Sequence, residues 1–158
     1  LRRIYYSTFS PVKQTIFESL PAVDPMRGFR LYQASFLLRD YQWDLEELPF
    51  GADMNLPVTM DPKLAWAKEH LIHEPLEINR VERKSLLKVP GIGPVHADRI
   101  LQERRRGALR TLGALRAIGI RNTHRIAPFV LIDGHRPAQQ LPLFEKLSLD
   151  GVVPSLHK

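Results

Sequence analysis

The stretch SLLKVPGIGPVHADRIL, Ser85 to Leu101, decides how this chain reads. Leu86, Leu87 and Val89 end one helical run, and Val95, Ala97, Ile100 and Leu101 supply the apolar positions of the next. Between them lies Pro90-Gly91-Ile92-Gly93-Pro94. A tight connection between two helices needs glycine for geometry alone. The same residues suit a second task. Glycines let successive backbone N–H groups face one way with no side chain intervening, and the unpaired N–H groups of the second helix converge on that spot. A turn of this kind can hold a phosphate, while Ile92, turned inward, wedges the two helices. A phosphate held by backbone amides carries no base identity, so the predicted binding is independent of sequence and sensitive to salt.

Upstream, INRVERKSLLKV places Asn79 and Glu82 at N-cap and N3 spacing, which predicts a capping box at the start of the first helix. Downstream, Gly107 breaks the second helix, Thr111 can cap a third, and AIGIRNTHRIAPFV repeats the helix–turn–helix pattern. Gly119-Ile120-Arg121-Asn122 follows Gly91-Ile92-Gly93-Pro94 by 28 residues. This predicts an internal duplication whose second copy is degenerate, with Arg121 where the first has glycine. Between Arg80 and Arg125, twelve Lys/Arg stand against Glu82, Asp98 and Glu103, a balance of +9; the net charge is +6, so the remainder sums to −3. A basic segment on an acidic remainder points to a polyanion partner. A solvated helical surface is the bland alternative.

The flanks are less informative. Residues 1–10, rich in Ile, Tyr and Phe, read as a strand without a partner. Residues 11–25 carry three prolines and read as a linker. Phe29, Tyr32, Phe36, Leu37 and Tyr41 fall at helical spacing and predict an apolar stripe facing a core. Asp61-Pro62 marks another helix start, with Leu64 and Trp66 expected to pack on the aromatic helix. From Gly134 onward periodicity is lost, and a mobile tail is expected. With 44% apolar and 25% charged residues, the composition is that of an ordinary soluble protein. No apolar run reaches the ~18–20 residues that span a bilayer, and the first residues do not read as a basic, apolar, small-residue leader, so a cytoplasmic protein with no membrane partner is expected. The absence of cysteine excludes disulfides and thiolate metal sites within these residues, and the six histidines show no i, i+4 pair. Leu1 in place of methionine suggests a piece of a longer protein.

VPGIGPVHADRIL is similar to the helix-hairpin-helix motif of non-sequence-specific DNA-binding proteins, and residues 78–130 resemble a tandem unit of that motif. More broadly, LRRIYYSTFSPV, FRLYQASFLLRDY, NLPVTMDPKLAWA and PLEINRVERKSLLKVPGIG resemble, in order, the C-terminal part of the DNA modification/repair radical-SAM protein family, over about residues 1–133. That resemblance implies a parent with an upstream barrel, a 4Fe-4S cluster and S-adenosylmethionine, and a uracil-DNA glycosylase-like partner. Residues 1–10 would be the barrel's last strand. None of that chemistry maps onto a residue here, and no cofactor is expected in this chain. Helix-hairpin-helix glycosylases carry a catalytic aspartate after the hairpin; Asp133 is the candidate by order alone, and it reads better as a turn residue before Gly134. In the tail, QLPLF (Gln140, Leu141, Pro142, Leu143, Phe144) resembles the peptide by which bacterial repair proteins dock on the DNA-polymerase sliding clamp.

The expectation is therefore a mainly α-helical chain. A terminal strand and linker (1–25) lead to a helical connecting region (26–77), a tandem helix-hairpin-helix domain (78–133) and an irregular tail (134–158). Its expected function is sequence-independent DNA binding that targets a repair or modification enzyme, with no catalytic residue in the chain. Pro90, Gly91, Ile92, Gly93 and Val95 would form the phosphate clamp, Lys88, Arg99, Arg104, Arg105, Arg106 and Arg121 would supply charge, and a monovalent cation could bridge hairpin carbonyls and phosphate. The alternative is a protein–protein module that docks the barrel or the glycosylase-like partner.

Overall fold

The computed structural model describes residues 5–138. Six α-helices are present among them: α1 (Pro25–Asp40), α2 (Pro62–His70), α3 (Arg83–Leu86), α4 (Pro94–Arg106), α5 (Leu112–Ala117) and α6 (Thr123–Ile126). Two short strands, β1 (Leu76–Glu77) and β2 (Val130–Leu131), pair in parallel, with Leu76 opposite Val130 and Glu77 opposite Leu131. The chain is mainly helical, as its periodicity predicts, but the strands sit elsewhere than expected. Residues 5–10 form no strand. They run past α1, which offers side chains rather than a free backbone edge: the Tyr6 N–H donates to the Tyr32 hydroxyl at 2.9 Å, and the two rings meet edge to face.

Helix α1 starts where Asp24 accepts the Met26 N–H at 2.8 Å and Pro25 fixes the first turn. Of the expected stripe, Leu37 is buried and Tyr32 and Tyr41 are half-buried, but Phe29 and Phe36 are not part of the buried face. Arg30, Ala34 and Leu37 face inward at i, i+4, i+7 spacing, whereas Phe29 and Phe36 are 55% and 48% exposed. Arg30 is buried because its guanidinium donates twice to the Val58 carbonyl and once to Gln33. Phe29 and Phe36 instead lie beneath the guanidinium groups of Arg30 and Arg39. Ala34 and Leu37 join Trp43, Leu48 and Leu56 in a small cluster, against which Trp66 of α2 packs edge to face on Trp43. Helix α2 is capped as expected, Asp61 accepting the Leu64 N–H at 3.0 Å.

The main core holds Ala67 of α2 and Leu71 just after it, Ile78, the hairpin residues Leu86, Leu87, Val89, Ile92, Ala97 and Ile100, then Leu109, Leu115, Ile120, Ile126, Phe129, Val130 and Ile132. Leu64 packs against it. This core crosses the 77/78 boundary expected from sequence: α2, the β1–β2 pair and both helical hairpins share one apolar interior. The Glu77 carboxylate tightens that junction by accepting backbone N–H groups from Asn79, Asp133 and Gly134. Burial pushes Glu77 up, but those donors outweigh it and leave the carboxyl below its ordinary range. Asp133, at φ 56°, and Gly134 form the turn between Ile132 and His135.

Asn79 does not cap α3. Glu82 is the N-cap residue there, without a side-chain bond, and Asn79 reaches across instead. Its amide donates to the Leu109 carbonyl at 2.8 Å and its Oδ1 accepts the Leu109 N–H at 2.9 Å. The paired bond to a distant backbone wins because it satisfies two partly buried groups at once. Thr111 caps α5 through Ala114, and Gly107 ends α4, both as read from the sequence.

Candidate functional site

The site is built on the turn between α3 and α4. Ile92 is fully buried and its N–H closes the turn onto the Val89 carbonyl at 3.0 Å. Gly91 lies at φ +90°, and a Cβ there would come within 3.1 Å of Ile126 Cγ1, so glycine is required both for conformation and for space. Gly93 is the N-cap of α4, with Pro94 next. Among the described residues, the N–H groups of Gly91, Gly93, Val95 and His96 have no acceptor. Val95 itself is exposed, so the first turn of α4 opens outward. Open donors on a 13-residue helix start are an anion-binding arrangement.

The second turn, between α5 and α6, shares a left-handed glycine with the first but not its hydrogen bonding, since the Ile120 N–H reaches Leu115 O rather than a carbonyl three residues back. Gly119 lies at φ +91° and the following Ile120 is buried, as are their counterparts 28 residues earlier. Its outer side differs. The Gly119 N–H is spent on Arg116 O, and Arg99 of α4 lays its guanidinium on the turn, donating to the Ile118 carbonyl at 3.1 Å.

The basic residues expected at the interface separate on inspection. Lys88 is withdrawn: it pairs with Glu47, and its ammonium lies 4.7 Å above the Trp66 ring. Arg104 is also structural, donating to the carbonyls of Val81 at 2.6 Å and Ile78 at 3.3 Å and so clamping α4 to the chain before α3. Arg99 is exposed but engaged on the second turn, and Arg106 sits 3.5 Å from Glu103. Arg105 and Arg121 are exposed and free of ion pairs among the described residues. Arg83 and Lys84, which add to the +9 window, are paired with Asp98 and Asp44. Pro90 is buried beneath the turn. Gln140, Leu141, Leu143 and Phe144 lie outside the described residues.

A groove of about 1430 Å³ opens beside the first turn. Gly91 and Gly93 form one wall, and Arg116, His124 and Arg125 contribute positive or titratable groups from the second hairpin. Sequence reasoning missed those three, and it missed Lys63. Lys63 is 8% exposed, yet its Nζ donates to the Ile92 carbonyl at 2.6 Å and lies 4.5 Å from the Tyr41 ring centre. Burial pushes this ammonium down to about 7, with Asp61 opposing the shift. The Tyr41 phenol is pushed up, chiefly by burial and then by Asp40 and Asp61. Its hydroxyl lies 3.3 Å from where a Cβ on Gly93 would stand. Helices α1 and α2 therefore cradle the turn from below.

The carbonyls expected to hold a monovalent cation already have protein partners. Gly91 O lies 3.2 Å from His96 Nδ1, Ile92 O accepts Lys63, and Gly93 O accepts the Ala97 N–H. Among the described residues, no group of three His, Asp or Glu side chains is placed to hold a metal ion. No helix among them is long and apolar enough to cross a membrane. Comparison with known proteins finds no match to a family model, a curated protein or a solved structure.

Proposed function

We propose that the chain binds DNA through its phosphate backbone at the Gly91–Gly93 turn, without regard to base sequence. In this reading the two hairpins are a tandem helix-hairpin-helix, and the chain is the targeting part of a DNA repair or modification radical-SAM protein. It has no catalytic role of its own. The observation that carries the reading is the set of N–H groups at Gly91, Gly93 and Val95, in the turn and at the start of α4, that have no acceptor among the described residues. Gly91 and Val95 are exposed, and Gly91 and Gly93 line a groove that also carries Arg116, His124 and Arg125. The second turn lacks a free Gly119 N–H and is covered by Arg99, so it acts as a packing partner. The expected sliding-clamp contact through Gln140–Phe144 is a separate proposal, tested by binding of the tail peptide alone to purified clamp.

Val95→Glu tests the clamp with little effect on folding, because Val95 is 63% exposed. A carboxylate at that position opposes a bound phosphate, and the expected loss in duplex affinity is about tenfold or more, corresponding to ~1.4 kcal/mol. Unchanged affinity in a folded Val95→Glu protein would remove the turn from the interface. A protein-docking role has its own support. Phe29 and Phe36, seven residues apart on α1, expose apolar surface on one helix face. A docking role on that face is compatible with DNA binding at the hairpin.

A further inference from the structure

The Ile92–Gly93 peptide is trans, so its carbonyl and its N–H point in opposite directions. Lys63 Nζ, fixed between the Tyr41 ring and the turn, takes the carbonyl at 2.6 Å on the buried side. The Gly93 N–H is thereby turned to the open side, where it has no acceptor. A cation on the carbonyl also polarises that peptide and makes its N–H a stronger donor. We propose that Lys63 is the positioning residue of the hairpin, its ammonium holding the Ile92 carbonyl inward, aiming the Gly93 N–H outward, and tying phosphate binding to proton uptake. This inference rests on the reading that phosphate binds at the turn, and it goes further by naming a tethered cation and a regulation for that site.

The linkage has a definite sign. A phosphodiester arriving at the turn favours the charged form of Lys63 over the neutral amine, so binding draws a proton onto it. Buried Lys63 changes charge near pH 7, so affinity for duplex falls as pH rises through that region. The charged and titratable groups that line the same groove as Lys63 come from several elements. Asp61 and Lys68 lie on α2 or its cap, Tyr41 at the end of α1, His96 on α4, Arg116 on α5, and His124 and Arg125 on α6. Asp61 is the acid among them and favours the ammonium. His96 and His124 are the neighbours whose residue type also changes charge near neutrality, so they must be separated from Lys63 by experiment.

The test is binding of a short random-sequence duplex, followed by fluorescence anisotropy at constant ionic strength from about pH 6 to about pH 9. The full chain is expected to lose roughly tenfold in affinity over that range. A His96→Gln/His124→Gln protein should keep the dependence whatever its absolute affinity. Lys63→Met should bind weakly and show no pH dependence, and Lys63→Arg, permanently charged, should bind well and show none. If Lys63→Met does not fold, calorimetry on the double-histidine variant in two buffers of different ionisation heat decides the matter, with net proton uptake expected near neutral pH. A pH dependence that survives Lys63→Met, or binding without proton uptake, overturns the role of Lys63. Absence of binding by the folded chain at every pH overturns the hairpin reading itself.

Discussion

Two glycines at nearly the same φ, Gly91 at +90° and Gly119 at +91°, should respond differently to alanine. At Gly91 the strained conformation is compounded by Ile126 Cγ1 at 3.1 Å, a branched core atom with little room to yield. Gly91→Ala is expected to cost about 2–3 kcal/mol in a thermal or denaturant melt. At Gly119 the new Cβ meets Arg99 Nη1, the end of a flexible chain, so Gly119→Ala should cost nearer 1 kcal/mol. Lys63 gives a prediction of another kind. The unfolded chain holds this proton to the ordinary lysine value of 10.5, while burial releases it near 7 in the fold. Between those values the unfolded state carries the extra proton, so stability rises with pH across the window. The rise attributable to Lys63, on the order of a few kcal/mol, should vanish in Lys63→Met when melts are compared from pH 7 to pH 10. The glycines were legible in the sequence because a local conformation demands them. Lys63 was not, because DPKLAWAKEHL looks like the start of any helix and its burial comes from α1 and the hairpin closing over it.

At the scale of elements, what was legible is what neighbouring residues determine. Asp61 and Thr111 cap the helices that their positions announce, and Pro94 and Gly107 bound α4. The failures are all tertiary. Asn79 and Glu82 have capping-box spacing, but Asn79 finds two partners on Leu109, 30 residues away. Asn79→Ala should therefore destabilise the whole fold by about 1–3 kcal/mol rather than fray one helix end, which denaturant melts and amide exchange at Leu109 would distinguish. On α1, the expected stripe keeps Leu37 but loses Phe29 and Phe36, and the buried face is the one carrying Arg30, Ala34 and Leu37. Residues 5–10 have strand composition but meet no strand. The basic residues divide for the same reason. Lys88 and Arg104 found Glu47 and the Val81 carbonyl, contacts that no spacing rule reveals. Lys88→Met should lower the melting temperature and leave the salt slope of duplex binding unchanged, whereas Arg105→Ala should lower that slope if Arg105 meets a phosphate.

Across the whole molecule, the cores of the connecting region and of the two hairpins are continuous, with Tyr41 and Trp66 touching both apolar clusters. The first turn is thus supported from three sides: by α2 through Lys63, by α1 through Tyr41, and by α6 through Ile126 against Gly91. Rigid support of this kind holds donors where a rigid polyanion can meet them. The +9 balance of residues 80–125 overstates the charge available to a ligand, because Asp44 and Glu47, which lie outside that window, neutralise Lys84 and Lys88, whereas Asp98, the partner of Arg83, is already counted in it. Because Lys88 and Arg104 are spent on contacts inside the fold, on the order of three or four phosphate contacts are expected, and so a modest salt dependence. The direct measurement is a salt titration of the full chain against random-sequence duplex. Sequence-independent binding should fall with a log–log slope of roughly −3, and Val95→Glu should weaken it at every salt concentration. A folded chain with no affinity at low salt, or an affinity indifferent to salt, would contradict phosphate recognition at the Gly91–Gly93 turn.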